Sequence, residues 1–228
     1  MPEDSLPFWQ DRLGGRRETR FGEARLALEG PDGEGIALVG TTDGRAPWTG
    51  EGLPAGSAVR GLHSVTLTLR DARPMVDLLA ALGYREDGRE GPWTRMRIAG
   101  NGADALDLHE DRDAPPARQG AGSVHHIAFS VPDRAAQDAV RQGFVDLGLR
   151  PTPPIDRDYF QSVYVRTPGG ILFELATEEP GFARDEPPEA LGRVLRLPRQ
   201  HAHLRPRLIR SLQPLPGLAM EDPAGGPA

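Results

Sequence analysis

The side chains with the most chemical potential in this chain are a histidine pair and a solitary glutamate. His125 and His126 open the alternating run Val124-His125-His126-Ile127-Ala128-Phe129, and Glu174 interrupts the apolar run Ile171-Leu172-Phe173-Glu174-Leu175. A carboxylate inside so apolar a segment is costly unless its charge is compensated. A divalent ion shared with an imidazole would compensate it and would also do chemistry. The chain has no cysteine, which excludes disulfide scaffolds, thiolate metal sites and cysteine nucleophiles. Any metal must therefore be held by His, Asp or Glu.

Period-two alternation places His126, Ala128 and Ser130 on one face of a strand and Ile127, Phe129 and Val131 on the other. The second face is apolar and suits packing on a helix, whereas the first sets a histidine among small residues. Glu174 points away from Phe173 and Leu175. Two readings of these residues stay open on pattern alone: a satisfied core histidine beside a partly solvated glutamate, or two ligands of one metal ion.

The elements that would position them occur twice. Leu62-His63-Ser64-Val65-Thr66-Leu67-Thr68-Leu69-Arg70-Asp71 aligns without a gap with Val124-His125-His126-Ile127-Ala128-Phe129-Ser130-Val131-Pro132-Asp133. Each run leads into an amphipathic helix, Ala72 to Leu82 or Arg134 to Leu147, that stops at Gly83 or Gly148. Downstream, residues 101–108 match Pro168 to Leu175, so the repeated order is strand, helix, three strands. A third copy is incomplete: Ser5 to Leu13 is its helix and Pro31 to Val39 its last strand, while Met1-Pro2-Glu3 aligns with Val131-Pro132-Asp133. The expected organisation is an incomplete module with linker over 1–57, a βαβββ module over 58–120, a second over 121–178 that carries the candidate ligands, and a C-terminal tail over 179–228. The tail, rich in Pro and Arg, should wrap the outside of the domain, with its last eight residues loose. In the sister copies Ser64 stands where His126 does, and Asp107 or Ala37 where Glu174 does, which is the pattern of one specialised site on a duplicated scaffold.

Other residues are weaker candidates. His63 aligns with His125 and is read as structural, His109 as exposed at a strand end, and His201 and His203 as solvated among tail Arg and Pro. Trp9, Trp48 and Trp93 have no interpretable spacing. Asp156 to Arg166 carries many charges and phenols; a surface hairpin explains it, but its place between His126 and Glu174 keeps Arg157 and Tyr164 in view as groups that could bind an anionic oxygen. A formal charge of -6 argues against a nucleic-acid surface. No apolar run reaches the roughly 18 to 20 residues of a membrane span, and the first residues are unlike a signal peptide, so a cytoplasmic location is expected.

Taken together, Arg60 to Leu67, Gly122 to Phe129, Asp156 to Phe160, Gly170 to Thr177 and the run Pro180-Gly181-Phe182 to Asp185-Glu186 resemble the vicinal oxygen chelate superfamily, and within it the dioxygenases that open hydroquinone rings. The resemblance implies an α+β fold of tandem strand-helix-three-strand (βαβββ) modules with an extended C-terminal tail. It implies Fe(II), with Mn(II) as a substitute, a small aromatic diol and O2 as partners, and no nucleic acid or membrane; it also allows a homo-oligomer. Carried over, His126 and Glu174 match metal ligands, His125 an acid-base group beside the metal, Arg157 a residue steadying substrate oxygens, and Tyr164 a nearby phenol. The family's further histidine ligand belongs to a first repeat that has no counterpart here. A shortened start, a split or decayed gene, and completion by another chain are the three explanations, the first being preferred. A metal-free small-molecule binding protein of the same fold is the alternative function, and a Zn or Ni isomerase of the glyoxalase kind a third, disfavoured by the Asp156 to Tyr164 segment.

Overall fold

The computed structural model describes residues 1–100 and 104–220. Part of the expected strand over 101–108, and the last eight residues expected to be loose, lie outside them. By internal contacts the chain forms two units, Met1–His125 with Pro168–Ile171, and His126–Thr167 with the residues from Leu172 onward.

The first unit contains α1 (Leu6–Leu13), β1 (Arg16–Arg20), β2 (Glu23–Glu29), β3 (Gly35–Val39), β4 (Ser64–Leu69), α2 (Arg73–Ala81), β5 (Arg85–Glu90), β6 (Trp93–Arg97) and β7 (Ala105–Glu110). Its strands make a three-stranded antiparallel sheet, β1-β2-β3, and a four-stranded sheet in the order β4-β7-β6-β5, in which β4 and β7 run parallel. Alternation makes β4 two-faced: Leu67 and Leu69 are buried while Thr66 and Thr68 are exposed. Met75, Leu79, Met96 and Leu108 close the core beneath α2. Around α1, Met1, Leu6, Trp9 and Leu26 form a cluster, and Trp9 Nε1 donates to the Ser57 carbonyl at 2.6 Å. Trp9 is thus a core residue with its one donor satisfied.

The second unit repeats the order with β8 (Ile127–Val131), α3 (Arg134–Asp146), β9 (Ile155–Asp156), β10 (Gln161–Arg166) and β11 (Leu172–Thr177), the sheet running β8-β11-β10-β9 with β8 and β11 parallel. Asp133 caps α3 by accepting from the Ala136 amide at 2.9 Å. At the other end the Leu149 amide reaches back to the Phe144 carbonyl at 2.9 Å, a closure that needs the left-handed backbone of Gly148 at φ 79. Tyr84, Leu79 and Gly83 close α2 in the same way. Phe144, Phe173, Val163, Val165 and Leu175 make the core. The tail adds 3-10 turns, α4 (Arg205–Ser211) and a single bridge between Val194 and Ala219, with no further sheet among the described residues. The chain is therefore α+β, built from strand-helix-three-strand repeats followed by a tail.

Two strand starts differ from expectation. The strand read over Pro31 to Val39 begins at Gly35, where its pairing with Glu29 begins. The strand read as starting at Val124 starts at Ile127, because its parallel partner begins at Leu172 and the first matched pair is Phe173 with Ile127. Val124 is 71% exposed, and His126 stands immediately before the ladder.

Candidate functional site

Register decides which side chains meet. In the parallel pair, Glu174 lies beside Ala128, and His126, two residues earlier, shares the face of Ala128. His126 Nε2 stands 2.7 Å from Glu174 Oε2. In the antiparallel pair, Tyr164 lies opposite Glu174, and the Tyr164 ring meets the His126 imidazole edge-on at 5.9 Å. Arg157, at the hairpin between β9 and β10, donates from Nη2 to the Tyr164 hydroxyl at 3.3 Å and lies 5.7 Å from that ring. Four of the five candidates, Arg157, Tyr164, His126 and Glu174, thus form one chain of contacts on one sheet face. The fifth, His125, is exposed and belongs to the first unit.

Glu174 is 4% exposed, so the reading of a partly solvated glutamate does not hold. Its charge is met from two sides, by His126 at Oε2 and by the Ser162 hydroxyl, which donates to Oε1 at 2.5 Å. Sequence reading missed Ser162. Its signal was parity: two residues before Tyr164 on the same strand, it must share the Tyr164 face.

An imidazole nitrogen and a carboxylate oxygen from neighbouring strands are a borderline-hard donor set that fits a divalent first-row ion. They supply two donors. Among the described residues no group of three or more His, Cys, Asp or Glu side chains comes together as a metal site.

The matching position in the first unit is filled differently. Asp107 lies beside Thr66 and opposite Arg95, as Glu174 lies beside Ala128 and opposite Tyr164. Arg95 Nε and Nη2 donate to the two Asp107 oxygens at 2.7 and 2.9 Å, and Arg25 Nη2 adds a bond at 3.2 Å. Arg95 also donates to Glu23 at 2.7 Å, and His63 Nε2 lies 3.0 Å from the same carboxylate. Burial pushes the Glu23 carboxyl up, but the hydrogen bonds and charges of His63 and Arg95 outweigh it and hold its pKa at about 2. Guanidinium groups here balance the carboxylate that an ion could balance elsewhere. The expectation for His109 fails: it is half-buried in β7 and stacks on Trp93 at 4.1 Å, the residue opposite it on β6.

The hairpin that carries Arg157 is tied to the tail. Asp158, with φ 69, is buried, and it accepts from Arg184 Nη1 at 2.5 Å, Arg199 Nε at 2.8 Å and the Arg199 amide at 2.9 Å. Burial opposes its ionised form, yet the bonds from Arg199 and Arg184 prevail and hold the carboxyl below its ordinary range. Tyr159 donates to Asp185 at 2.9 Å; burial first, and that carboxylate second, raise its phenol to about 12.

Comparison with known proteins gives a consistent outcome. The family described as Glyoxalase/Bleomycin resistance protein/Dioxygenase superfamily matches residues 84–175. Chlorohydroquinone/hydroquinone 1,2-dioxygenase of Sphingobium indicum is 36% identical over 229 residues, covering 92% of this chain and 70% of that protein. MhqA of Bacillus subtilis, provisionally named a ring-cleaving dioxygenase, is 34% identical over 233 residues, covering 93% of this chain and 72% of its own. A crystal structure of a Bacillus subtilis protein provisionally described as a dioxygenase superposes with a TM-score of 0.86 at 33% identity, covering 96% of this chain and 72% of that one.

Proposed function

We propose, since this chain belongs to the glyoxalase/bleomycin resistance/dioxygenase superfamily and is similar along most of its length to proteins named ring-cleaving dioxygenases, that it takes part in Fe(II)-dependent opening of a hydroquinone-like ring by O2. The observation that carries the reading is the 2.7 Å approach of His126 Nε2 to Glu174 Oε2 on one sheet face.

His126 and Glu174 would hold the ion, which when bound supplies a Lewis acid and redox centre for a dihydroxylated ring and for O2. The remaining roles fall to side chains of this chain. Ser162 occupies Glu174 Oε1 and so leaves Oε2 as the donor atom on the His126 side. Arg157, permanently charged, holds an anionic ring oxygen and thereby favours the deprotonated diol. The Tyr164 hydroxyl, already accepting from Arg157, keeps its own proton to donate to that oxygen. His125 accepts and returns the protons that leave the ring hydroxyls.

The count of two donors among the described residues favours a second reading, a protein of the same fold that binds an aromatic diol without metal. One experiment separates the two. The full chain is loaded with Fe(II) anaerobically, and iron content and O2 uptake with hydroquinone are measured for it and for Glu174→Ala. The dioxygenase reading expects bound iron and O2 uptake in the parent and neither in the variant, with unchanged circular dichroism. Turnover retained by Glu174→Ala would overturn the ligand assignment, and a parent chain that binds hydroquinone yet takes up no iron under anaerobic loading would establish the second reading.

A further inference from the structure

The loop between β9 and β10 turns through a left-handed residue that is not glycine. Asp158 has φ 69 and its side chain is 3% exposed. Asp is itself one of the residues that adopt this conformation, but Asn or Gly would do so without burying a charge. An ionised carboxylate here must be removed from water, a cost that its partners at best offset, so stability alone is a weak reason for it. What such a group does provide is one fixed geometry, because its bonds are short, charged and directional.

Those bonds all come from the tail. Arg184 Nη1 donates both to the Asp158 carbonyl, at 2.7 Å, and to Oδ1, at 2.5 Å. Arg199 contributes its Nε to Oδ1 and its amide to Oδ2, at 2.8 and 2.9 Å. The next residue is held as well: the Gly181 amide donates to the Tyr159 carbonyl at 2.9 Å, the Tyr159 hydroxyl to Asp185 at 2.9 Å, and the Tyr159 ring stacks on Phe182 at 5.4 Å. On the other side, the Arg157 amide is fixed to the Phe160 carbonyl at 2.9 Å. While Asp158 and Tyr159 are bonded to the tail, their neighbour Arg157 donates its guanidinium to the Tyr164 hydroxyl.

We propose that Asp158 is a positioning residue: gripped by Arg184 and Arg199, it sets the direction in which Arg157 presents its guanidinium to a substrate oxygen, and so makes residues 181–199 of the tail part of the substrate site. The substrate half of this statement rests on the role given to Arg157 above. Asp158 touches no reacting atom and acts through its neighbour.

The test is a double-mutant cycle on the full chain. Asp158→Asn keeps the left-handed backbone and removes the charge; Arg199→Ala removes one grip at a side chain that is 73% exposed and leaves no hole in the core. Two quantities are read for each: the Nε–Hε resonance of Arg157 by NMR, and the affinity for hydroquinone of the metal-free protein by titration. A positioning role expects the Arg157 resonance to move in both variants and the affinity to fall about tenfold, the scale of one charge-assisted hydrogen bond. In an Arg157→Ala background the same substitutions should change affinity less than about twofold. Equal losses in both backgrounds, or an unmoved Arg157 resonance, would overturn the proposal. If the resonance moves but Arg157→Ala itself leaves affinity unchanged, the positioning of Arg157 is upheld and its role toward substrate falls.

Discussion

Arg95 grips Asp107 through two parallel hydrogen bonds, Nε to Oδ1 at 2.7 Å and Nη2 to Oδ2 at 2.9 Å, at the ladder position where the other four-stranded sheet sets Tyr164 against Glu174. Both side chains are buried, Asp107 at 0% and Arg95 at 2% exposure, and Arg25 leans on the same carboxylate. Breaking such a pair from one side strands a buried charge, at about 3–5 kcal/mol. Asp107→Ala should lower the urea-unfolding free energy of the protein by that order, while the joint change Asp107→Leu with Arg95→Met should lose less. A loss under about 1 kcal/mol in the single variant would show that the network contributes little.

The same cluster predicts a pH dependence. Glu23 has its folded pKa depressed to about 2 by His63 and Arg95 against the opposing effect of burial, from an ordinary value of 4.5. A depressed carboxyl contributes stability that is fully present above its unfolded pKa and is lost as pH falls through the folded one. Stability measured by urea midpoint should therefore decline between about pH 4.5 and pH 2, more steeply in the parent than in Glu23→Gln, which has no carboxyl to protonate. Superimposable profiles would show that Glu23 is not the group responsible.

Much of this was legible in the chain. Alternation and a gapless repeat sufficed to put His126 and Glu174 on one face, because strand parity needs no knowledge of partners. Gly83 and Gly148 announced the helix ends. The pairing of distant groups was not legible: Asp158 meets Arg184 and Arg199 from 26 and 41 positions away, and a sequence with 27 basic residues gives no means of choosing which arginines do so. His109 was misread because its exposure depends on the residue opposite, and only the antiparallel register brings Trp93 there. The start of β8 was misplaced for a related reason, since a strand extends only as far as its partner.

Gln137 offers a test of buried polar satisfaction in the second unit. It is fully buried on α3, and its Nε2 donates to the carbonyls of Gln161 and Leu175, each at 2.8 Å, tying the helix to β10 and β11. Gln137→Leu keeps the volume near and removes the donor, so the buried Leu175 carbonyl and the part-buried Gln161 carbonyl lose a partner, at about 1–3 kcal/mol. Hydrogen exchange should also speed up along β10 and β11 if the helix loosens from the sheet. A variant as stable as the parent would mean that the carbonyls find other donors.

The end of α3 separates backbone conformation from packing. Gly148 has φ 79, a conformation that residues with a Cβ adopt at a cost, and an added Cβ there would meet nothing within 4 Å. No clash can contribute, so Gly148→Ala should destabilise by about 1 kcal/mol through the left-handed backbone alone. Gly148→Asn, which tolerates the conformation better, should lose about half as much. Both changes should leave Phe144 packed, because the amide-to-carbonyl closure from Leu149 to Phe144 does not use the Gly148 side. Thermal unfolding of the three proteins checks the order Gly, Asn, Ala; an alanine variant at or above the parent would mean that the helix end adopts another closure in solution.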